Sequence, residues 1–227
     1  MDIAENLRRI KKRIHDAETQ YHRRPNSVKL LAVSKTQSVA AIQEAYAAGQ
    51  RMFGENYCQE AIEKQKALYN CDIEWHFIGS IQSNKTKLIA EHFDWVHSVS
   101  RFKIAKRLSE QRPVSLPPLS VCIEVNISHE VTKSGVLPEA LLSLVCEVSV
   151  LKQLRLRGLM VIPEYQEYFK EQRAWFEKVA ALQQGLIEKG FNFDALSMGM
   201  THDFEAAIAA GSTIVRLGTA IFGERER

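Results

Sequence analysis

Eight short apolar runs, alternating with longer helical patterns, constrain this chain more than any other feature. The runs are VKLLAVSK, RMFGEN, WHFIGS, WVHSVS, LSVCIEVN, LRGLMVIP, ALSMGM and TIVRLGTAIFG. Between them lie stretches such as SVAAIQEAYAAG, YCQEAIEKQKALY, RFKIAKRLSEQ and EQRAWFEKVAALQQGLIEKG, whose apolar residues recur at helical spacing. Strand patterns alternating with helical ones predict parallel βαβ units. Eight of them in 227 residues predict an α/β fold, a single closed (β/α)8 TIM barrel occupying 1–227. An open doubly wound sheet is the alternative, but no G-x-G-x-x-G follows the first run to support a dinucleotide site. Ahead of the barrel, Ile3, Leu7, Ile10 and Ile14 predict an extra amphipathic helix over 2–23, broken by Pro25 and Asn26.

Composition narrows the function classes. Net charge is only +3, and the basic stretch LRRIKKRIHD (7–16) reads as the solvated face of the first helix, with no nucleic-acid motif around it. No apolar run approaches the ~18 residues that span a bilayer. Charges begin at Asp2, so no signal peptide is expected. The cysteines Cys58, Cys71, Cys122 and Cys146 form no C-x-x-C pair, and the histidines show no metal-ligand spacing. A reduced, cytoplasmic protein without metal is the expectation.

In such barrels the chemistry sits at the carboxyl ends of the strands. Run by run, those ends carry Lys35, then Glu55 and Asn56, then HFIGS with His76 inside it. Glu124 and Asn126 follow, then Met160, Ser197 and, on the last strand, Arg216. So many polar ends would be unfavourable to bury without partners, and one shared ligand would explain them together. LSMGMT (196–201) and RLGTAIFG (216–223) fall where barrels hold phosphate, in the loops after strands 7 and 8. Gly199 and Gly218 allow close backbone approach there, and Ser197 and Thr219 offer hydroxyls.

The stretch LLAVSKTQSV (30–39) ends an apolar strand on a lysine. If the barrel closes, strand 8 lies beside strand 1 and brings Arg216 near Lys35. A guanidinium nearby and loss of bulk water disfavour the ammonium form, and a neutral amine attacks an aldehyde to form a Schiff base. A phosphate cradle facing such a lysine suits a phosphorylated aldehyde, either pyridoxal 5′-phosphate (PLP) or a sugar phosphate. The layout alone does not choose between them.

AVSKTQ, FGENYCQE, WHFIGSIQSNK, HSVSR, IEVNISHEVTKSG, LRGLMVIP, LSMGMTHDFEAAI and VRLGTAIFGERE, in that order over residues 29–226, together resemble the pyridoxal phosphate homeostasis protein family. The resemblance implies the barrel of alanine-racemase N-terminal-domain type and PLP as cofactor. It implies that Lys35 carries PLP as a Schiff base, that Asn56 and Met160 line the cofactor, and that His76 lies near the ring. It implies Ser197, Gly218 and Thr219 at the phosphate and Arg216 against the pyridine nitrogen. The implied function is intracellular vitamin B6 homeostasis with little or no turnover. The alternatives are a low-activity amino-acid racemase and a Schiff-base aldolase on a sugar phosphate. Implied partners are PLP and PLP-dependent apo-enzymes as recipients, with no nucleic acid or membrane. The racemase's second β domain has no room before Arg227, so a monomer is expected. Ser100, Glu124, Thr201 and Cys58 depart from the family pattern, which has aspartate, glutamine, serine and valine there. Cys58 reads as a small buried residue rather than a thiol that traps an aldehyde.

Overall fold

The computed structural model describes residues 2–130 and 133–223. Val131 and Thr132 of the IEVNISHEVTKSG motif, and the ERE end of the last motif (224–226), lie outside the described residues. Strands β1 (Lys29–Val33), β2 (Met52–Glu55), β3 (Glu74–Phe77), β4 (Trp95–Val99), β5 (Leu119–Val125), β6 (Leu154–Val161), β7 (Ala195–Ser197) and β8 (Ile214–Leu217) pair in sequence order. All pairings are parallel, and β8 closes the ring on β1 through Leu30↔Val215 and Leu31↔Arg216. The expected closed barrel is the one observed. Helices α1 (Ile3–Gln20), α2 (Val39–Ala47), α3 (Cys58–Ala67), α4 (Thr86–His92), α5 (Phe102–Gln111), α6 (Pro138–Ser149), α7 (Phe169–Glu188), α8 (Phe204–Ala209) and α9 (Thr219–Phe222) accompany the strands.

Because side chains alternate across a strand, each strand feeds two cores. One face packs on the helices in the large apolar cluster that includes Phe53, Phe77, Ile123, Leu159, Phe176 and Phe204. The other fills the barrel with a smaller cluster of Leu31, Trp95, Cys122, Met160, Ala195 and Ile214. The interior is therefore packed, and room for a ligand is left only at its ends. Gly158 serves this packing. Its φ of +154° and its close approach to the Ala195 carbonyl, where a Cβ would come within 1.8 Å of oxygen, leave no space for a side chain.

The N-terminal helix is shorter than the 2–23 that its periodicity predicts. Asp2 caps it by accepting from the Glu5 N–H at 2.9 Å. At the far end His22 turns into the left-handed region at φ 53° and stops the spiral before Pro25. Ile3, Leu7, Ile10 and Ile14 are buried, as their spacing requires, and the helix packs on α2, α8 and α9. Glu18, itself buried, ties it to the barrel: its carboxylate accepts from the N–H of Val28 at 2.8 Å and of Asn26 at 3.0 Å, directly ahead of β1. Replacing Glu18 by alanine leaves both donors without that acceptor, at about 1–3 kcal/mol for each donor left buried. We expect Glu18→Ala to lower unfolding stability by about 2 kcal/mol or more, read from denaturant titration; an unchanged midpoint would refute this account of the junction.

Candidate functional site

The carboxyl ends of the strands surround a cavity of about 290 Å³, near the lower end of the range for small-molecule pockets. Lys35 from the β1 end, Asn56 from the β2 end, Arg216 from β8, and Gly218 and Thr219 at the start of α9 all line it. Five of the eight expected site residues thus meet in one place. The other three do not line it. His76, Met160 and Ser197 are buried inside the barrel, Met160 in the interior apolar cluster and the other two in a hydrogen-bonded chain.

The turn that carries Lys35 is held from both sides. Ser34 continues the sheet by donating its N–H to the Gly54 carbonyl at 2.9 Å, and its hydroxyl donates to Glu55 Oε1 at 2.7 Å. Thr36 then adopts a left-handed conformation, φ 64°, with its N–H on Glu60 Oε1. Lys64, buried on α3, bonds at once to the Ser34 carbonyl (2.8 Å), Glu55 Oε1 (2.8 Å) and Glu60 Oε1 (2.6 Å). One ammonium therefore fixes the residues on either side of Lys35. Burial raises the Glu55 carboxyl pKa, and Lys64 beside it opposes that shift. Removing Lys64 strands a carboxylate in the interior, and such broken pairs lose about 3–5 kcal/mol. We expect Lys64→Met to destabilise strongly and the double variant with Glu55→Gln to recover a large part of the loss. Equal midpoints for the two variants would contradict a buried-charge origin.

Opposite this turn, Arg216 reaches the cavity from below and is almost wholly buried. Its guanidinium donates to the Ser197 carbonyl (2.7 Å), to Ser197 Oγ (2.9 Å) and to the Val161 carbonyl (2.9 Å). Burial lowers its pKa to about 10, against the attraction of Asp203, Glu124 and Cys122, so it stays protonated at neutral pH. Burial also pushes the Glu124 carboxyl up to about 7, with Arg216 pulling the other way.

Two threonine hydroxyls face each other across the β7 and β8 loops, Thr201 Oγ1 lying 3.2 Å from Thr219 Oγ1. Gly199 turns the chain between them and β7 at φ +99°, where a Cβ would press within 2.7 Å of Ala207 Cβ. Asp203 accepts from the Met200 N–H at 2.6 Å and closes that loop. Thr201, noted in the sequence only as a departure from the family pattern, lines the cavity wall. Gln37, Ile78, Ile162, Met200 and His202 also line the cavity. Only their position just beyond a strand end signalled them. Cys58 is buried at the start of α3, and its thiol pKa is raised by burial, which agrees with a packing role. Among the described residues no group of three or more His, Cys, Asp or Glu is placed to hold a metal. No described helix is long and apolar enough to cross a membrane.

Comparison with known proteins decides the family. The family model for the alanine racemase N-terminal domain matches residues 2–226. A pyridoxal phosphate homeostasis protein of Pseudomonas aeruginosa is 55% identical over 224 residues, 99% of this chain and 96% of that one. This chain belongs to the alanine racemase N-terminal domain family, and within it to the pyridoxal phosphate homeostasis proteins. Among solved structures, PipY of Synechococcus elongatus PCC7942, with PLP bound, is 38% identical with a TM-score of 0.83, over 97% of this chain and 100% of that one. An alanine racemase of Clostridium difficile covers the whole chain at a TM-score of 0.77 and 13% identity, but only 57% of its own length is matched. That likeness carries the barrel fold alone.

Beneath the cavity, His76 and His97 are buried as neutral rings. Burial lowers both pKa values, with the Glu74 carboxylate opposing the shift at His76; that of His97 falls well below the ordinary imidazole range, where any charge on His76 and the Arg216 guanidinium add to burial. The unfolded chain takes up protons near pH 6.5, whereas the folded rings resist them. Stability is therefore full above about pH 6.5 and falls as pH drops, by up to about 1.4 kcal/mol per pH unit for each histidine until the folded rings protonate. Denaturant midpoints measured from about pH 7 to about pH 5.5 should fall, and should fall less steeply in His97→Gln. Equal slopes would show that His97 does not contribute.

Proposed function

We propose that this chain binds pyridoxal 5′-phosphate at the cavity and serves intracellular vitamin B6 homeostasis, as a carrier and regulator with little or no turnover. The observation that carries the reading is the convergence of Lys35, Arg216 and the Thr201–Thr219 pair on one small cavity at the strand ends. The donor set fits the group. Asn56 Oδ1 is buried and has no hydrogen-bond partner among the described residues, an acceptor that awaits a donor from a ligand. The Thr201 and Thr219 hydroxyls and the start of α9 suit a phosphate. When bound, PLP supplies a reactive aldehyde and an electron-withdrawing pyridine ring.

The residues of this chain divide the work. Lys35 is the attachment point: its amine would condense with the cofactor's aldehyde, with the aldehyde oxygen lost as water. Glu60 and Lys64 hold the turn that presents it. Arg216, which lines the cavity, would hold the ring nitrogen. A guanidinium has protons to give and no lone pair to accept one, so that nitrogen is kept unprotonated and withdraws electrons weakly. Amino-acid chemistry at an α-carbon is thereby discouraged, which favours holding the cofactor over using it. Met160 closes the barrel beneath the cavity. His76 and Ser197 support the floor through Arg216 rather than touching the ring or phosphate. The cytoplasm is the compartment this reading assigns, in keeping with four free cysteines. The monomer is the working state, and PLP-dependent apo-enzymes are the recipients.

An absorption spectrum of wild type beside Lys35→Ala, before and after borohydride reduction, tests the site. We expect a visible or near-ultraviolet cofactor band in wild type only, and reduction to fix PLP on the peptide that contains Lys35. A colourless wild type that fails to take up added PLP would overturn the reading and favour a sugar-phosphate aldolase. Racemisation of amino acids that depends on Lys35 would overturn the carrier role while leaving the cofactor in place.

A further inference from the structure

A line of polar side chains runs down the barrel interior from the floor of the cavity. Arg216 donates to Ser197 Oγ at 2.9 Å, and that oxygen lies 2.8 Å from His97 Nδ1. His97 Nε2 lies 2.9 Å from His76 Nδ1, and His76 Nε2 lies 2.8 Å from Glu74 Oε1. Arg216, Ser197, His97 and His76 are buried, while the Glu74 side chain is 42% exposed. Glu74 opens β3, so the line joins the cavity to the opposite rim of the barrel.

The groups at its two ends fix the direction of every bond between them. Arg216 can only donate, so Ser197 Oγ accepts from it and keeps its own O–H to give to His97 Nδ1. A neutral ring carries one proton, which His97 must then hold on Nε2. From the other end, the Glu74 carboxylate can only accept, so His76 carries its proton on Nε2 and leaves Nδ1 bare. His97 Nε2 must then donate its proton to that bare His76 nitrogen across the 2.9 Å contact between the rings, which leaves His97 Nδ1 as the acceptor of the Ser197 O–H. Donor meets acceptor at all four contacts, from a guanidinium at one end to a carboxylate at the other. Bonds aligned in this way polarise one another in a low dielectric.

We propose that this chain is a one-way relay through which Glu74 sets how firmly Arg216 is held for the cofactor ring, and so tunes PLP retention from the far rim. The proposal rests on PLP binding at the cavity and names its remote control. Glu74 and His97 are positioning residues, since neither lines the cavity. The relay has no slack: an added proton on His76 Nδ1 would face His97 N–H, and His97 would have to shift its proton onto Nδ1. Ser197 would then accept from two donors and lose the acceptor for its own hydroxyl. The surroundings of the relay's lower end are charged, with Lys29, Asp94 and Arg157 near Glu74 and His76. Asp203 and Glu124 act on Arg216 from the upper end. A ligand or partner charge placed at the lower rim would therefore reach the cofactor site without entering it.

Titration of the apo protein with PLP, followed by absorbance, tests this in wild type, Glu74→Gln, Ser197→Ala and the double variant. Glutamine keeps an oxygen for His76 and removes only the charge. We expect Glu74→Gln to bind about threefold more weakly and Ser197→Ala about tenfold, the scale of one hydrogen bond to a charged group. The double variant should bind like Ser197→Ala alone, because alanine cuts the relay between Glu74 and Arg216. Additive losses, or a Glu74→Gln variant that binds like wild type, would overturn the relay. Nitrogen-15 spectra of histidine-labelled apo protein should show both rings neutral with the proton on Nε2; a proton on Nδ1 of either ring would overturn the derived order. A wild type that fails to bind PLP would instead refute the cofactor reading, and the spectra would still report the proton order.

Discussion

Pairing of β8 with β1 determines what the rest of the molecule can do. Without that closure the chain would be an open sheet, with Lys35 and Arg216 on separate edges. Closure in the register Leu31↔Arg216 turns the guanidinium into the barrel and sets it under the mouth that Lys35 enters from the strand end. It also brings the β8–α9 turn beside the β1 end, where a Cβ on Gly218 would lie 3.2 Å from the Val33 carbonyl. The amine, the fixed cation and the threonine hydroxyls are gathered by hydrogen bonds between backbones, before any side chain makes a choice.

Two buried cations then do complementary work, and neither is left without acceptors. Lys64 lies outside the barrel wall and spends its donors on Ser34, Glu55 and Glu60, which shapes the turn around Lys35. Arg216 lies inside the wall and spends donors on the carbonyls of Val161 and Ser197 and on the Ser197 hydroxyl. Burying a charge is tolerable only when its donors are so matched. The matching makes both residues rigid, which is what a pocket that holds a cofactor requires. Flexibility at either point would loosen one end of the ligand.

The sequence disclosed the skeleton of this arrangement because the barrel repeats one pattern. Alternation of apolar runs with helical stretches announced the eight strands. Lys35, Gly218 and Thr219 were legible because each follows directly from a strand end into a loop. Depth inside the barrel was not legible in the same way. His76, Met160 and Ser197 sit in or next to the last residues of their strands, yet they point inward one layer below the mouth. A run of letters does not say how strands are staggered around a closed ring. The partners of Ser197 were hidden too, since His97 lies 100 residues away in sequence and meets it only through closure. The residues of the wall that come from loops, such as Ile162 and His202, had no period to reveal them. The first helix ended early for a local reason, the left-handed turn at His22, which its apolar spacing could not anticipate.

The most direct test of the account is a crystal structure of the protein grown with PLP. We expect continuous density from Lys35 Nζ to the former aldehyde carbon, the ring nitrogen within hydrogen-bond distance of Arg216, and the phosphate between Thr201 and Thr219. Density for PLP on another lysine, or a phosphate bound away from the β7 and β8 loops with Arg216 facing no ring, would contradict it.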